Sequence, residues 1–454
     1  MNVDETNSKR IILPMTKAQQ SIWYDATQKE NPENHTMGDW MDFRGNIDEE
    51  SLEQYLVQTI QEVEAARCVY KLVDGVPVQE VLEEVNFKVK HIGLRTSTEH
   101  ERISEAQNDM NIRLAHEFDV DTPPLVEAVF YRISPTRLFV LLLMHHLVCD
   151  GYSRNTLYER WRQLVAGDTL GEPLPSLTML IDAESNYYES RALSKDREYW
   201  RNIVGKLPDF LTLSTGYTGV SNDKVSRENR KLSTDIVKNL DKLAGESGVS
   251  RAVCLIALTA LHIAHCTGTD IPVITVPFTA RTSEVTRRTP GMVANYLPFI
   301  VPILSEESLT DLISRVGRDL FRMTKHQRFR VEEIRRMSGV SLQDNRPYVP
   351  FVYVIPQQQI YNFGRSVAFL NNLSTGAVSD LMITWLDQSD ESIMLHVDGN
   401  LSLYTSIDIS NIADGLTDLI CLAVQDTSCV VGSLAIRNNV GIDQDVSVNY
   451  RPSY

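Results

Sequence analysis

The sequence predicts a mixed α/β protein built as two lobes. Helical and strand-like apolar periods alternate through both halves of the chain. Its 454 residues exceed what one hydrophobic core usually fills, and a proline-stiffened stretch, Gly171-Glu172-Pro173-Leu174-Pro175, falls between the halves as a linker would. A hydrophobic content of 43% is that of an ordinary globular chain. The formal net charge of −16 argues against nucleic acid and anionic membrane as partners, because both repel an acidic surface.

Taken in order, the polar start from Met1 to Arg10 lacks the apolar core of a signal peptide, and no later run is long enough to span a bilayer. Thr16 caps a short helix on which Gln19, Gln20 and Trp23 lie near one another, a surface for a lobe contact or a packed N-terminus. Leu52, Leu56, Ile60 and Val63 mark an amphipathic helix from Ser51 to about Ala66. Lys71 to Val81 alternates around the turn Asp74-Gly75, and Leu125 to Ile133 is a strand after Pro123-Pro124. Leu138 to Leu143 is a continuous apolar run that reads as a strand buried on both faces. A helix follows from Ser153, a candidate N-cap, to about Ala166.

The second half repeats the mixture. Helices are predicted around Ser194 to Trp200, Asp235 to Ala244, Ala252 to Ala264, Leu309 to Arg328 and Ile409 to Val424. Strands are predicted at Ile271 to Pro277 and as a hairpin through Leu381, Ile383, Trp385 and Ile393, Leu395, Val397. The tail from Gly441 to Tyr454 is polar and reads as loose. Six cysteines, Cys68, Cys149, Cys254, Cys266, Cys421 and Cys429, lack CxxC spacing and read as reduced core residues of a cytoplasmic protein.

Between the buried strand and its following helix stands His145-His146-Leu147-Val148-Cys149-Asp150-Gly151. Neighbouring side chains on extended backbone point in opposite directions, so only one histidine can face a given cavity. A buried Asp150 needs a cationic partner or several donors, and Gly151 lets the backbone turn sharply or lie close to a ligand. An isolated histidine pair is more often structural; Asp and Gly in register behind a core strand turn the balance toward a site. His262, His265 and Cys266 resemble a metal cluster, yet they lie on an apolar helix without a carboxylate and read as core, so no metal is expected. His326 reads as a helix-end residue, and the arginines from Arg281 to Arg288 as a solvated run or a surface for an acidic partner.

From about Leu13 to about Gly432 the chain resembles the condensation domain of nonribosomal peptide synthetases. His145, His146, Asp150 and Gly151 meet its HHxxxDG signature, and Ala18-Gln19 with Trp23 is similar to its N-terminal AQ…W motif. Phe118-Asp119 with Pro124-Leu125-Val126, Arg197-Glu198-Tyr199-Trp200, Thr279-Ala280-Arg281, Gly291 to Pro298, His326-Gln327 and Ser379-Asp380-Leu381 resemble further motifs in the family's order. Glu64-Ala65-Ala66-Arg67-Cys68 is a weak copy, Cys149 replaces a usual serine, and the final motif is not recognisable.

The resemblance implies two chloramphenicol-acetyltransferase-like lobes in a V-shaped pseudo-dimer with a central tunnel, here residues 1–175 and 176–440. It implies an amide-forming acyltransferase in which donor and acceptor carrier proteins deliver substrates on phosphopantetheine arms, with no intrinsic cofactor, nucleic acid or membrane. It assigns catalysis to His146, an orienting or packing role to His145, the border of the reacting carbonyl to Gly151 and a structural salt bridge to Asp150 and Arg281. Gln19, Trp23, Asn295 and His326 become candidates for the tunnel or lobe interface. The absence of a glutamate-rich EGHGRE-like motif disfavours an epimerisation domain, and heterocyclisation domains replace the histidines with aspartates. A non-catalytic recruitment module and a coenzyme A-dependent or ester-forming acyltransferase remain as alternatives. With no carrier or adenylation segment in the sequence, the donor is expected from another chain, as for a starter-type, free-standing or excised domain.

Overall fold

The apolar run 138–143 lies at the centre of a six-stranded sheet, in a strand whose residues from Leu138 to His145 are all buried. The computed structural model describes residues 11–28, 35–115, 117–168, 172–207, 212–214, 216, 225–339, 350–355, 360–374, 376 and 378–434. The first half forms β1 (Ile11–Pro14), α1 (Lys17–Gln28), β2 (Thr36–Gly45), α2 (Glu49–Glu62), β3 (Cys68–Val73), β4 (Val76–Val81), β5 (Val89–Ile92), α3 (Glu99–Leu114), β6 (Val126–Ser134), β7 (Arg137–His145) and α4 (Gly151–Ala166). The second half continues with α5 (Thr178–Tyr188), α6 (Arg191–Val204), β8 (Val225–Leu232), α7 (Thr234–Glu246), α8 (Arg251–Thr267), β9 (Val273–Phe278), α9 (Glu284–Arg288) and β10 (Asn295–Ile300). It ends with α10 (Leu309–Thr324), α11 (Val331–Ser338), β11 (Phe351–Ile355), β12 (Ile360–Phe363), β13 (Ser366–Ser374), β14 (Leu381–Asp387), β15 (Ile393–Asn400) and α12 (Ser406–Gln425).

The strands make two six-stranded sheets, ordered β12-β13-β2-β7-β6-β5 and β10-β9-β11-β14-β15-β8, and a small sheet β1-β4-β3. In β7, Leu138, Val140, Leu142 and Met144 face a core with Leu52, Leu56 and Ile60 of α2 and Leu157 and Trp161 of α4. Phe139, Leu141 and Leu143 face Ala106 and Met110 of α3 on the other side. Burial of each such side chain contributes about 1.5–3 kcal/mol, so the register of β7, and with it the direction of each histidine, is strongly specified. The second core gathers α7, α8, α10 and α12 against β14 and β15, and every residue of α8 from Cys254 to Ala264 is buried.

Several expectations change. α4 begins at Gly151 and its N-cap is Asp150, whose carboxylate accepts the Ser153 N–H; Ser153 is freed for other bonds because aspartate, three residues earlier, is an equally good cap. The helix predicted to run to Ala66 stops at Glu62, where Val63 turns extended and a single 3-10 turn, Glu64–Arg67, follows. α10 ends at Thr324 rather than near Arg328. A division at residue 175 does not separate the sheets, because β12 and β13 return from the second half and β13 pairs along β2. Gly171 and the tail 441–454 lie outside the described residues.

Among the described residues no single helix is long and apolar enough to cross a membrane; α7 and α8 pass such a test only as a pair bent by 95°. All six cysteines are free, with Cys68, Cys149 and Cys254 buried and the other three half-buried.

Candidate active site

The signature turn is tied down bond by bond. The His145 N–H donates to Leu125 O and the His146 N–H to His35 O, both at 3.0 Å. The chain then reverses: Val148 N–H donates to His145 O at 2.9 Å, and Leu147 N–H to Nδ1 of His145 at 3.1 Å. The Leu147 carbonyl accepts from Gln19 Nε2 at 2.9 Å and from the Tyr70 hydroxyl at 3.0 Å.

The two histidines part as extended backbone requires. His145 turns inward, its ring edge-on to His35 and Phe118. Burial, with further contributions from His35 and His146, pushes its pKa down to about 3. It is therefore neutral near pH 7, and its Nδ1 is an acceptor engaged by the turn, which suits it to shape rather than to proton transfer. His146 is 8% exposed and faces Gly376, where an added Cβ would lie 2.9 Å from both Cδ2 and Nε2 of the imidazole. Gly376 has φ +108°, a backbone conformation that favours glycine. Gly376→Ala should therefore displace the ring or strain the backbone and lower the melting temperature. Melting curves of the variant and the wild type check this, and an unchanged midpoint refutes it.

Behind the turn lies a fully buried network. Asp150 Oδ2 accepts from Arg281 Nη1 at 2.6 Å and from the N–H groups of Val293 and Ala294 at 3.1 and 3.0 Å. Arg281 Nη2 also donates to the Ser153 hydroxyl and the Gly291 carbonyl, Nη1 to Thr279 O and Nε to Thr286 O, so each guanidinium nitrogen has an acceptor. Ser153 closes the loop, its Oγ donating to Gly291 O and accepting from Gly291 N–H. Burial works to raise the Asp150 pKa, but the charge and hydrogen bonds of Arg281 outweigh it and hold the carboxyl below the usual range. These bonds fasten the start of α4 to residues 279–294 of the second half. Thr16 adds another tie, its hydroxyl donating to Met292 O while accepting the Gln19 N–H to cap α1.

The remaining candidates divide. Gln19 reaches the turn directly, whereas Trp23 on the same helix is buried in the first core. Asn295 Nδ2 donates to the carbonyls of Gln327 and Phe329 and its Oδ1 accepts from Val331 N–H, so it braces the link between α10 and α11. His326 pairs with Asp196 at 2.8 Å and stacks on Tyr199, an α6 contact rather than a cap or a solvated residue. Gly151 is exposed at the first position of α4 without a positive φ, and an added Cβ would meet only Arg154 Nη2 at 4.0 Å. Its backbone borders open space, so the sharp turn expected of it is not its reason. Of the basic run, Arg281 is buried, while Arg288 is exposed and 4.0 Å from Glu172. His262 Nε2 lies 3.4 Å from Cys266 Sγ inside the second core, and no group of three metal-ligating residues occurs among the described residues.

Two features escaped the sequence. Asp39 on β2 pairs with Arg154 at 3.0 Å and also accepts from the Tyr158 hydroxyl and Asn372 Nδ2. A charged residue inside a buried strand was the available signal. Gly376, two residues past β13, gave none.

Known proteins share this sequence pattern and fold. The Condensation domain family model matches residues 9–440. The chain is 25% identical over 436 residues to the isonitrile lipopeptide synthase of Streptomyces coeruleorubidus, covering 94% of this chain and 30% of that protein. It is 24% identical over 439 residues to the dimodular nonribosomal peptide synthase of Bacillus subtilis (strain 168), covering 95% of this chain and 18% of that one. The chain thus spans less than a third of either relative. In fold it is similar to the first condensation domain of the calcium-dependent antibiotic synthetase in complex with a substrate analogue, with a TM-score of 0.83 at 23% identity over 94% of this chain and 99% of the other. A variant of the starter condensation domain of rhizomide synthetase, in complex with C8-CoA and Leu-SNAC, gives a TM-score of 0.84 at 19% identity over 94% and 97%. With the family model spanning both sheets and the HHxxxDG turn, the chain belongs to the condensation-domain family.

Proposed function

We propose that this chain forms an amide between a donor acyl or aminoacyl thioester and the amine of an acceptor aminoacyl thioester, each presented on the phosphopantetheine arm of a carrier protein. The observation that carries the reading is the intact HHxxxDG turn, with His146 pointing away from the structural His145 and Asp150 locked behind it. The amine nitrogen attacks the thioester carbonyl, the C–N bond forms, the C–S bond breaks, and the thiolate leaves. His146 takes the amine proton as general base or orients the amine by accepting its hydrogen bond, and the backbone at Gly151 borders the carbonyl. Asp150 and Arg281 hold the turn and the two halves in register. Gln19 supports the same turn from the side, and the substrates meet in a tunnel between the two lobes.

The rhizomide starter domain holds C8-CoA, which supports a second donor source here, an acyl group on coenzyme A. The chemistry at the carbonyl is the same for both. The test is intact-mass analysis of acceptor-loaded carrier protein after incubation with a panel of fatty-acyl, aryl and aminoacyl donors on carrier protein or coenzyme A, beside His146→Ala. A donor-plus-acceptor mass that falls sharply in the variant supports condensation and identifies the donor class. Carrier binding without product across the panel counts for a recruitment module instead.

A further inference from the structure

His146 is gripped from both sides by groups that trace back to α1. On one side its N–H donates to the carbonyl of His35, the residue before β2, at 3.0 Å. β2 pairs with β7 from Thr36 opposite His145, so this bond adds one rung beyond the ladder. The His35 side chain is itself anchored, with Nε2 2.7 Å from Oδ2 of Asp25 on α1 and the two side chains only 13% and 6% exposed. An ionised carboxylate can only accept, so that nitrogen carries a proton aimed at Asp25. The His35 ring also stands edge-on to His145, 5.9 Å between centroids. On the other side Gln19, also on α1, holds the Leu147 carbonyl at 2.9 Å.

We propose that Asp25 and His35 are positioning residues for His146: Asp25 fixes His35, and His35 fixes the backbone from which the catalytic imidazole projects. The inference rests on the catalytic role of His146 proposed above. Loop geometry is what this pair supplies. His146 lies past the end of β7, where regular strand pairing no longer holds the chain, and proton transfer tolerates only small displacements. A buried, charge-assisted bond from a helix to the neighbouring segment replaces the missing rungs with one whose partner is itself restrained.

The test measures kcat and KM for amide formation from carrier-bound donor and acceptor, with melting curves, for Asp25→Ala, Asp25→Asn, His35→Ala, the double alanine variant and His146→Ala. Asp25→Ala and His35→Ala are expected to lower kcat about tenfold to a hundredfold and leave KM for either carrier within about twofold. The double variant should be no worse than the worse single, because the two act as one unit. Asp25→Asn keeps an acceptor oxygen and should recover most of the loss. If an alanine variant fails to fold, Asp25→Asn compared with His35→Gln carries the same contrast. Unchanged kcat, a loss that merely follows the melting temperature, or losses that multiply in the double variant overturn the proposal. A His146→Ala variant with unchanged kcat removes the function proposed for His146 and this inference together. A crippled His146→Ala beside unimpaired Asp25 and His35 variants removes the inference alone.

Discussion

Replacing His146 with alanine is expected to slow amide formation by about 10²–10⁴-fold without abolishing it, with both carriers still bound and the fold intact. The range is that of a lost general base. The residue of activity follows because two tethered reactants held together keep the larger part of the rate advantage, which owes nothing to the imidazole. Stability should be nearly unaffected, since the strand, the turn and its bonds belong to the backbone and to His145. His145→Ala is the informative contrast. It removes the acceptor for Leu147 N–H and empties a buried ring site, so its loss of activity should come with a lower melting temperature. Equal rates for wild type and His146→Ala in a single-turnover assay would falsify the assignment.

Arg281→Met is expected to destabilise the protein by about 3–5 kcal/mol, because it leaves Asp150 ionised and buried with only backbone and helix-end donors around it. Asp150→Asn, which keeps hydrogen-bonding groups and removes the opposite charge, should also destabilise by leaving Arg281 without its anion. The double change Asp150→Asn with Arg281→Met should cost less than the sum of the singles, the mark of direct coupling. Chemical denaturation measures all three, and additive losses would show that the contact carries no coupling. The pair also sets an acid limit. Asp150 has its pKa lowered in the folded state, so its contribution is complete above the unfolded carboxylate value of about 3.9 and is lost as pH falls through the folded value. Denaturation midpoints of wild type and Asp150→Asn should therefore converge as pH falls through that window.

Much of the site was legible because its parts are local. An apolar run with bulky residues at every position can be satisfied only between two layers, so β7 and the place where it stops being a strand could be read directly from residues 138–145. The spacing from His146 to Asp150 and Gly151 and the helical period at Leu157, Trp161 and Leu164 fall within a few turns of chain, where residue type and geometry are tightly linked. Arg281 was matched to Asp150 through a resemblance, not through periodicity; no local rule connects residues 131 positions apart.

What only the tertiary structure decided is pairing at a distance. β2 was hidden because Asp39 and Asp42 break its apolar alternation; Arg154 arrives from α4 to meet Asp39, and Arg137 of β7 joins Arg44 of β2 itself in meeting Asp42. That β13 completes the first sheet, with Asn372 bonding Asp39 across 333 positions, follows from edge hydrogen bonds that a strand pattern does not address to any particular partner. The same holds for Gly376 against His146 and for Asp25 beneath His35. By itself the sequence determined which segment forms the buried strand, where that strand ends and which side chains stand at that end. The packing of remote segments decided which of those side chains is held neutral, which is wedged against a glycine and which backbone bonds keep it there, because burial patterns are written locally and contacts are not.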